Sequence, residues 1–309
     1  MQRTLRRPQN SWYQKKLAKK GRDGSSSMVS LPGKSRSRRN ELKINALRSQ
    51  WTQSNVNRLA KMFRRPILGI HNPTYGIIFD VLECIIQRTF SYPTRDIRHA
   101  YEQLSGLIEN EHVSKVVLIA HSQGSIEAGM VLDWLYATSS ADDVSKIEVY
   151  TFGNATNHWN CPRRPGPGGG PVIRHIEHYA NTKDWVSRFG VLFVRGIGPT
   201  GRRQHRPAKS SGSFSGKLFL RKASGHQFNQ HYLNNMFTMD PAEQNVLGGN
   251  DFMGTVVDGD NFEQGIVDAH VIEEDSGAVV AANGAIQPAQ QIKDRSRLWM
   301  YRNGGSPGP

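Results

Sequence analysis

Short, almost wholly apolar runs alternate along the chain with longer stretches in which apolar residues recur every three or four positions. Residues 66–71 read as a short buried strand, and 115–120, a continuous β-branched run, reads as a strand covered on both faces. Residues 146–152, 172–179 and 217–222 have the same character. Between them the spacing predicts helices over 77–90, 94–111, 125–136 and 226–237. Tyr92-Pro93 ends the first, and Ile97, Tyr101, Leu104 and Leu107 form the apolar stripe of the second. Asp142 and Asp143 read as turn or cap residues at the exit of the third. No hairpin signal joins successive strands, so each is reached by a crossover. This order predicts an α/β fold, a mostly parallel sheet with helices on both faces.

The flanks break the pattern. Residues 1–40 hold basic pairs and Ser/Gly clusters and are predicted to be a disordered basic arm. Over 41–63, Leu42, Ile44, Leu47, Trp51, Val56, Leu59, Met62 and Phe63 recur with a loose helical period. The preferred reading is a helix packed on the domain edge. The alternative is a basic amphipathic helix lying on an anionic membrane surface. Residues 239–292 carry 10 acids and no base, an acidic extension expected to be partly ordered at best. Apolar content returns at Leu298-Trp-Met-Tyr301, so the chain end is expected to dock back on the body. The expected organisation is arm 1–40, main domain 41–238 and extension 239–309.

Charge sharpens this division. Residues 1–66 carry 18 Lys+Arg against Asp23 and Glu41, a net +16, while residues 67–309 carry a net −2. The basic excess therefore belongs to one end of the chain, not to a nucleic-acid-binding domain. The arm has few aromatics for base stacking, so no specific nucleic-acid partner is expected, and any contact through residues 1–66 would be electrostatic, with an anionic membrane surface as the partner considered. The longest strongly apolar run, Val116 to Ala120, is far below the roughly 20 residues of a membrane span. Two cysteines, Cys84 and Cys161, build no disulfide framework, and residues 1–20 lack an apolar signal core. Both features favour an intracellular location.

The chemistry concentrates at Val116-Val-Leu-Ile-Ala-His121-Ser122-Gln123-Gly124. A buried strand runs straight into small-x-Ser-x-Gly and then into a helix, the context a nucleophile elbow requires. Such a turn strains the serine backbone, so the positions two before and two after must be small, as Ala120 and Gly124 are. Ser122 would leave the C-terminal end of a central strand at the head of a helix, with the Gln123 N–H facing a developing oxyanion. A second donor is expected from the loop after the first strand, at Asn72 or Thr74. The hydroxyl needs a base and the base an orienting acid, in the chain order nucleophile, acid, histidine. Asp184, just past a strand, fills the acid position. His226 follows the 217–222 strand on a Gly hinge and is preferred as base; His231, just over a helical turn later, is the alternative. The Pro/Gly loop 162–171 and the basic loop 196–209 are either lids that overhang the site or surface loops with no such role, the two readings weighing equally.

The ordered set Leu68-Gly-Ile-His-Asn-Pro-Thr-Tyr-Gly76, Ile119-Ala-His-Ser-Gln-Gly-Ser125, Val149-Tyr-Thr-Phe-Gly-Asn154, His178-Tyr-Ala-Asn-Thr-Lys-Asp-Trp-Val186, Gly225-His-Gln-Phe-Asn-Gln-His-Tyr-Leu233 and Ser296-Arg-Leu-Trp299 resembles a lipase-like subgroup of the α/β-hydrolase superfamily found in filamentous fungi. The resemblance covers roughly residues 66–237 and 293–306 and does not reach the arm. It implies an α/β-hydrolase-type sheet, from which this sequence departs in showing only one strand between the first-strand loop and the elbow, so a reduced strand number is expected. It implies a serine esterase or lipase acting on a small-molecule or lipid ester through Ser122, Asp184 and a histidine of the 226–231 segment, with neither metal nor organic cofactor. Ala120 stands where the wider superfamily more often has Gly. The other classes considered are a catalytically silent scaffold used for binding and a protein that associates with anionic membranes through its arm.

Overall fold

The computed structural model describes residues 27–32, 50–71, 95–198, 214–256, 266–267, 278–280, 286–288 and 291–308. A seven-stranded sheet runs in the order β2-β1-β3-β4-β5-β6-β7. Its strands are β1 (Ser27–Pro32), β2 (Leu68–His71), β3 (Val116–His121), β4 (Ile147–Phe152), β5 (Ile176–Asn181), β6 (Lys217–Arg221) and β7 (Ile266–Val267). From β3 to β7 every pairing is parallel, and β1 is antiparallel to both of its neighbours. The class is α/β, with a mostly parallel sheet. A separate antiparallel pair, β8 (Ala278–Val280) and β9 (Ile286–Pro288), completes the described strands.

Alternate residues of the central strands enter two different cores, as the two-residue strand period demands. Val116, Leu118, Ala120, Ile147, Val149, Leu218 and Leu220 face an aliphatic core shared with helices α2 (Arg95–Ile108) and α3 (Gly124–Thr138). Val117, Ile119, Tyr150, Phe152, Tyr179 and Phe219 face an aromatic core shared with α1 (Gln50–Phe63) and the C-terminal segment. Phe152, Tyr179 and Phe219 occupy one register row across β4, β5 and β6 and stack at 5.0 and 5.1 Å. Such cross-strand aromatic pairs fix register as well as bury area. In α2 the buried residues are Ile97, Ala100, Leu104 and Ile108, spaced at three and four. Leu59, Met62 and Phe63 of α1 are buried in the aromatic core, with Phe63 edge-on to Phe237 at 5.2 Å. Leu59, Met62 and Phe63 of the apolar stripe are thus committed to the fold, as the edge-packed reading requires.

One part of the sequence-derived organisation needs correction. Within the arm expected to be disordered, Ser27–Pro32 forms β1, inserted between β2 and β3. Six residues flanked by basic and Ser-rich runs show little strand signal; two backbone ladders, one on each side, hold the segment in place. Within the acidic extension, Val246, Phe252 and Met253 are buried in the aromatic core. Asp240 closes a turn there by accepting from the Gln244 and Asn245 N–H groups, so an acid-rich composition coexists with ordered packing. The helix expected over 77–90, Cys84 and the arm outside β1 lie outside the described residues.

At the N-terminal ends of β4 and β5, two buried carboxylates hold the chain end. Glu148 accepts from Arg297 Nε (2.9 Å) and Lys115 Nζ (3.0 Å) on one oxygen and from the Tyr150 and Tyr301 hydroxyls (2.8 and 2.6 Å) on the other. Glu177 accepts from Tyr179 Oη (2.6 Å) and from the Arg297 and Leu298 N–H groups. Leu298, Trp299 and Tyr301 are thereby buried against the sheet. Burial alone would raise the Glu148 pKa, but hydrogen bonds from Arg297, Tyr301 and Tyr150 and the Lys115 charge overcome it and bring it down to about 2. A depressed carboxylate stabilises the fold above its unfolded pKa, and that stabilisation disappears as pH falls toward the folded value. Glu148→Gln is therefore expected to cost on the order of 3 kcal/mol at neutral pH, with the deficit shrinking to roughly half or less by pH 3. Urea unfolding of both proteins at the two pH values measures this.

Candidate functional site

Ser122 sits where β3 ends, its N–H bonded to the Phe152 carbonyl of β4 at 3.0 Å. Its φ is +58°, in the left-handed region that side chains other than Gly occupy at a cost of about 1–3 kcal/mol. The cost is borne because the neighbours over-determine the turn. Behind it lies a fully buried strand, and ahead the Ser125 N–H bonds to the Ser122 carbonyl at 3.0 Å as α3 begins. Ala120 is fully buried and Gly124 opens the helix, so no bulky side chain crowds the bend. Ser122 itself is only half-buried.

Three side chains from three strand ends meet here. His226 Nε2 lies 2.7 Å from Ser122 Oγ, and His226 Nδ1 lies 2.9 Å from Asp184 Oδ2. An ionised carboxylate only accepts, so Nδ1 carries the proton, Nε2 accepts, and the Ser122 hydroxyl donates. Asp184 is wholly buried and heavily bonded. Its Oδ1 caps α4 (Trp185–Phe189) by accepting from the Val186 N–H at 2.9 Å. Its Oδ2 also accepts from Ser187 Oγ at 3.0 Å and Tyr232 Oη at 2.5 Å. Burial by itself would raise the Asp184 pKa; the hydrogen bonds and charge of His226, with those of Tyr232 and Ser187, hold it below the usual carboxylate value. The acid is thus kept ionised where it faces the imidazole.

His231 does not reach the hydroxyl. Its Nδ1 accepts from the Gln227 N–H at 3.0 Å, and it lines a small cleft with Arg221, Tyr232 and Phe252 to which neither Ser122 nor His226 contributes. Of the two histidines left open by the sequence, His226 is the one that bonds both Ser122 and Asp184. Gln123 follows Ser122 at the head of α3, buried. Asn72 and Thr74 lie outside the described residues. Loop 162–171 is not an overhang: Arg164 ties it to Asp142 at 2.7 Å and to the Ala141 carbonyl, beyond the far end of α3, which at 15 residues is about 20 Å long. Among the described residues no group of His, Cys, Asp and Glu converges as a metal site.

Three neighbours of the site carry no individual signal in the sequence. His121 is buried and stacked on His226 with ring centroids 4.6 Å apart, and its Nε2–H donates to the His226 carbonyl at 2.7 Å. Burial foremost, then the nearby His226, lowers its pKa to about 3, so it stays neutral. Tyr232 reaches Asp184 because Phe228–Leu233 winds as a π-helix, whose wider turn shifts the register six residues after His226. Gly153, at φ +56°, closes the floor: a methyl group there would lie 2.9 Å from His226 Cε1 and 3.0 Å from Asp184 Oδ2. A glycine after a strand is the single sequence cue that could have drawn attention to it.

No protein-family model matches the chain, and no curated protein or solved structure does so either.

Proposed function

We propose that the chain is a serine hydrolase of the α/β-hydrolase type, cleaving a carboxylic ester through an acyl-enzyme on Ser122. One observation carries the reading: a serine held in a left-handed turn at the end of a central parallel strand, bonded at 2.7 Å to an imidazole that is bonded at 2.9 Å to a buried carboxylate. A serine in an ordinary strand-to-helix turn needs neither the strain nor the relay. The motif resemblance to lipase-like α/β-hydrolases points the same way.

In the proposed reaction the Ser122 oxygen attacks the ester carbonyl while His226 Nε2 takes its proton. The imidazolium is stabilised by Asp184, which keeps its charge because three donors besides His226 already solvate it. The tetrahedral oxyanion is assigned to the Gln123 N–H at the head of α3, with the second donor from the Asn72–Thr74 loop. His226 then protonates the leaving alcohol. Water, deprotonated by the same nitrogen, attacks the acyl-enzyme and releases the acid and the free serine.

The test is covalent capture. A fluorophosphonate probe is expected to label the native protein stoichiometrically, with the adduct mapping by peptide mass to Ser122, and p-nitrophenyl esters of graded chain length are expected to slow labelling by competition. A folded protein that takes up no probe would instead be a catalytically silent scaffold.

A further inference from the structure

Tyr232 is buried between Phe152 and His121, whose rings lie edge-on to it at 5.9 and 6.1 Å. These neighbours ask only for an aromatic ring, which phenylalanine would supply; the hydroxyl has a use of its own. Tyr232 Oη donates to Asp184 Oδ2 at 2.5 Å, the oxygen that also accepts from His226 Nδ1 at 2.9 Å and from Ser187 Oγ at 3.0 Å. The Val186 N–H bonds the other oxygen, Oδ1. A carboxylate oxygen offers about two lone pairs, so His226 and Ser187 already satisfy Oδ2. Tyr232 is a third donor, and it competes with the imidazole for the same charge.

Two features of the chain bring this contact about. Phe228–Leu233 is wound as a π-helix, a rare geometry, and it sets the hydroxyl against the acid. The Asn181 N–H, at the end of β5, donates to the same hydroxyl at 3.3 Å, and an O–H that accepts a bond becomes a stronger donor. Asn181 Nδ2 also holds the Gly225 and His231 carbonyls, at 3.0 and 3.2 Å, so one strand end braces both the phenol and the turn that carries His226. From the other elements packed here, the titratable group that faces the acid and its imidazole is His121, buried and neutral at the end of β3. Arg221, at the end of β6, and His231 line the small cleft that Tyr232 borders.

We propose that Tyr232 is a positioning residue for the general base: by donating to the Asp184 oxygen that His226 uses, it keeps that oxygen aimed at Nδ1 and limits how tightly the acid holds the imidazolium. The consequence has a definite sign. A donor stabilises the carboxylate most while His226 is neutral, because once the ring is protonated the charge of the acid is already partly compensated. Removing the donor therefore destabilises the neutral-imidazole state more, and the ring keeps its second proton to higher pH. A base that must be unprotonated to take the Ser122 proton then works only from a higher pH upward. The proposal deepens the hydrolase reading by naming the group that sets its acidic limit. It rests on that reading for the rate but not for the titration.

Tyr232→Phe in the full-length protein removes one oxygen and keeps the ring. The acidic limb of kcat/KM for a p-nitrophenyl ester is expected to move up by about one pH unit, so activity below the limb falls about tenfold while the plateau above it changes less. In the Ser122→Ala protein, which turns nothing over, adding Tyr232→Phe is expected to move the NMR titration of the His226 imidazole upward by a similar amount. Ser187→Ala takes a longer donor from the same oxygen, so it is expected to shift both readouts in the same direction by less. It decides the matter should Tyr232→Phe fail to fold. A limb and an imidazole titration that stay in place or move down in folded Tyr232→Phe overturn the proposal, because the hydroxyl would then only hold the packing. So does an unshifted Ser187→Ala where the phenylalanine variant does not fold. Absence of fluorophosphonate labelling would count against the hydrolase alone, since the imidazole titration needs no turnover.

Discussion

Ser122→Ala is expected to lower hydrolysis of a p-nitrophenyl ester by roughly ten-thousandfold to a millionfold, with little change in KM, and to abolish fluorophosphonate capture. The magnitude follows from what the oxygen does. In the proposed reaction it forms the bond that divides one difficult hydrolysis into two easier steps, and nothing else in the described site lies on the bonded path from His226 to Asp184. What survives would be the slower attack of water within a site whose other groups remain in place. Alanine keeps the Cβ and the left-handed backbone at +58°, so the strain is the same and unfolding curves are expected to superimpose closely. A variant retaining more than a small fraction of the rate while still folded would show that the hydroxyl is not the nucleophile.

How much of this was legible in the sequence depends on whether a feature is encoded locally. The run 116–124 declares itself because strand, bend and helix each have their own pattern and occur without interruption. Asp184 and His226 stand out in the sequence because each comes within a few residues of a strand end, and strands are short, apolar and bounded. The choice between His226 and His231 is legible in the sequence only as a preference, from the strand and Gly hinge that precede His226. His231 falls in a π-helical stretch, Phe228–Leu233, which no propensity announces, and its ring turns to the Gln227 N–H. Tyr232 was hidden for the same reason. His121 stands in the sequence between the apolar run and Ser122 with no role of its own to read; its stacking on His226 depends on a partner 105 positions away.

Composition misled most where tertiary pairing overrides it. Ser27–Pro32 has the surroundings of a disordered tail, yet both of its edges are satisfied by strands far along the chain. Met239–Val246 is similar: acids at Asp240 and Glu243 dominate a window count, while the turn they build delivers Val246 into the aromatic core. A helical period or a two-residue alternation reports which face of one element is apolar. It does not report which distant element will cover that face, and the Glu148–Arg297 clamp, spanning 149 positions, is wholly of that kind.

His226→Ala is expected to cost about as much as Ser122→Ala, and the double variant no more than either alone. In the proposed reaction the two groups act as one unit: without the imidazole the hydroxyl keeps its proton at neutral pH, and without the hydroxyl the imidazole has nothing to activate. Energies of independent groups would add; groups on one proton path do not. His231→Ala provides the contrast. Its Nδ1 accepts from the Gln227 N–H and it makes no bond to Ser122 or Asp184, so its loss is expected to change kcat/KM by less than about tenfold through the packing of the turn that carries His226. Measured side by side on one p-nitrophenyl ester, a large loss for His231→Ala with a small one for His226→Ala would reverse the assignment. Additive losses in the Ser122 and His226 pair would separate the two residues into independent roles and dissolve the relay, because the 2.7 Å bond between them would then be a contact without a shared proton.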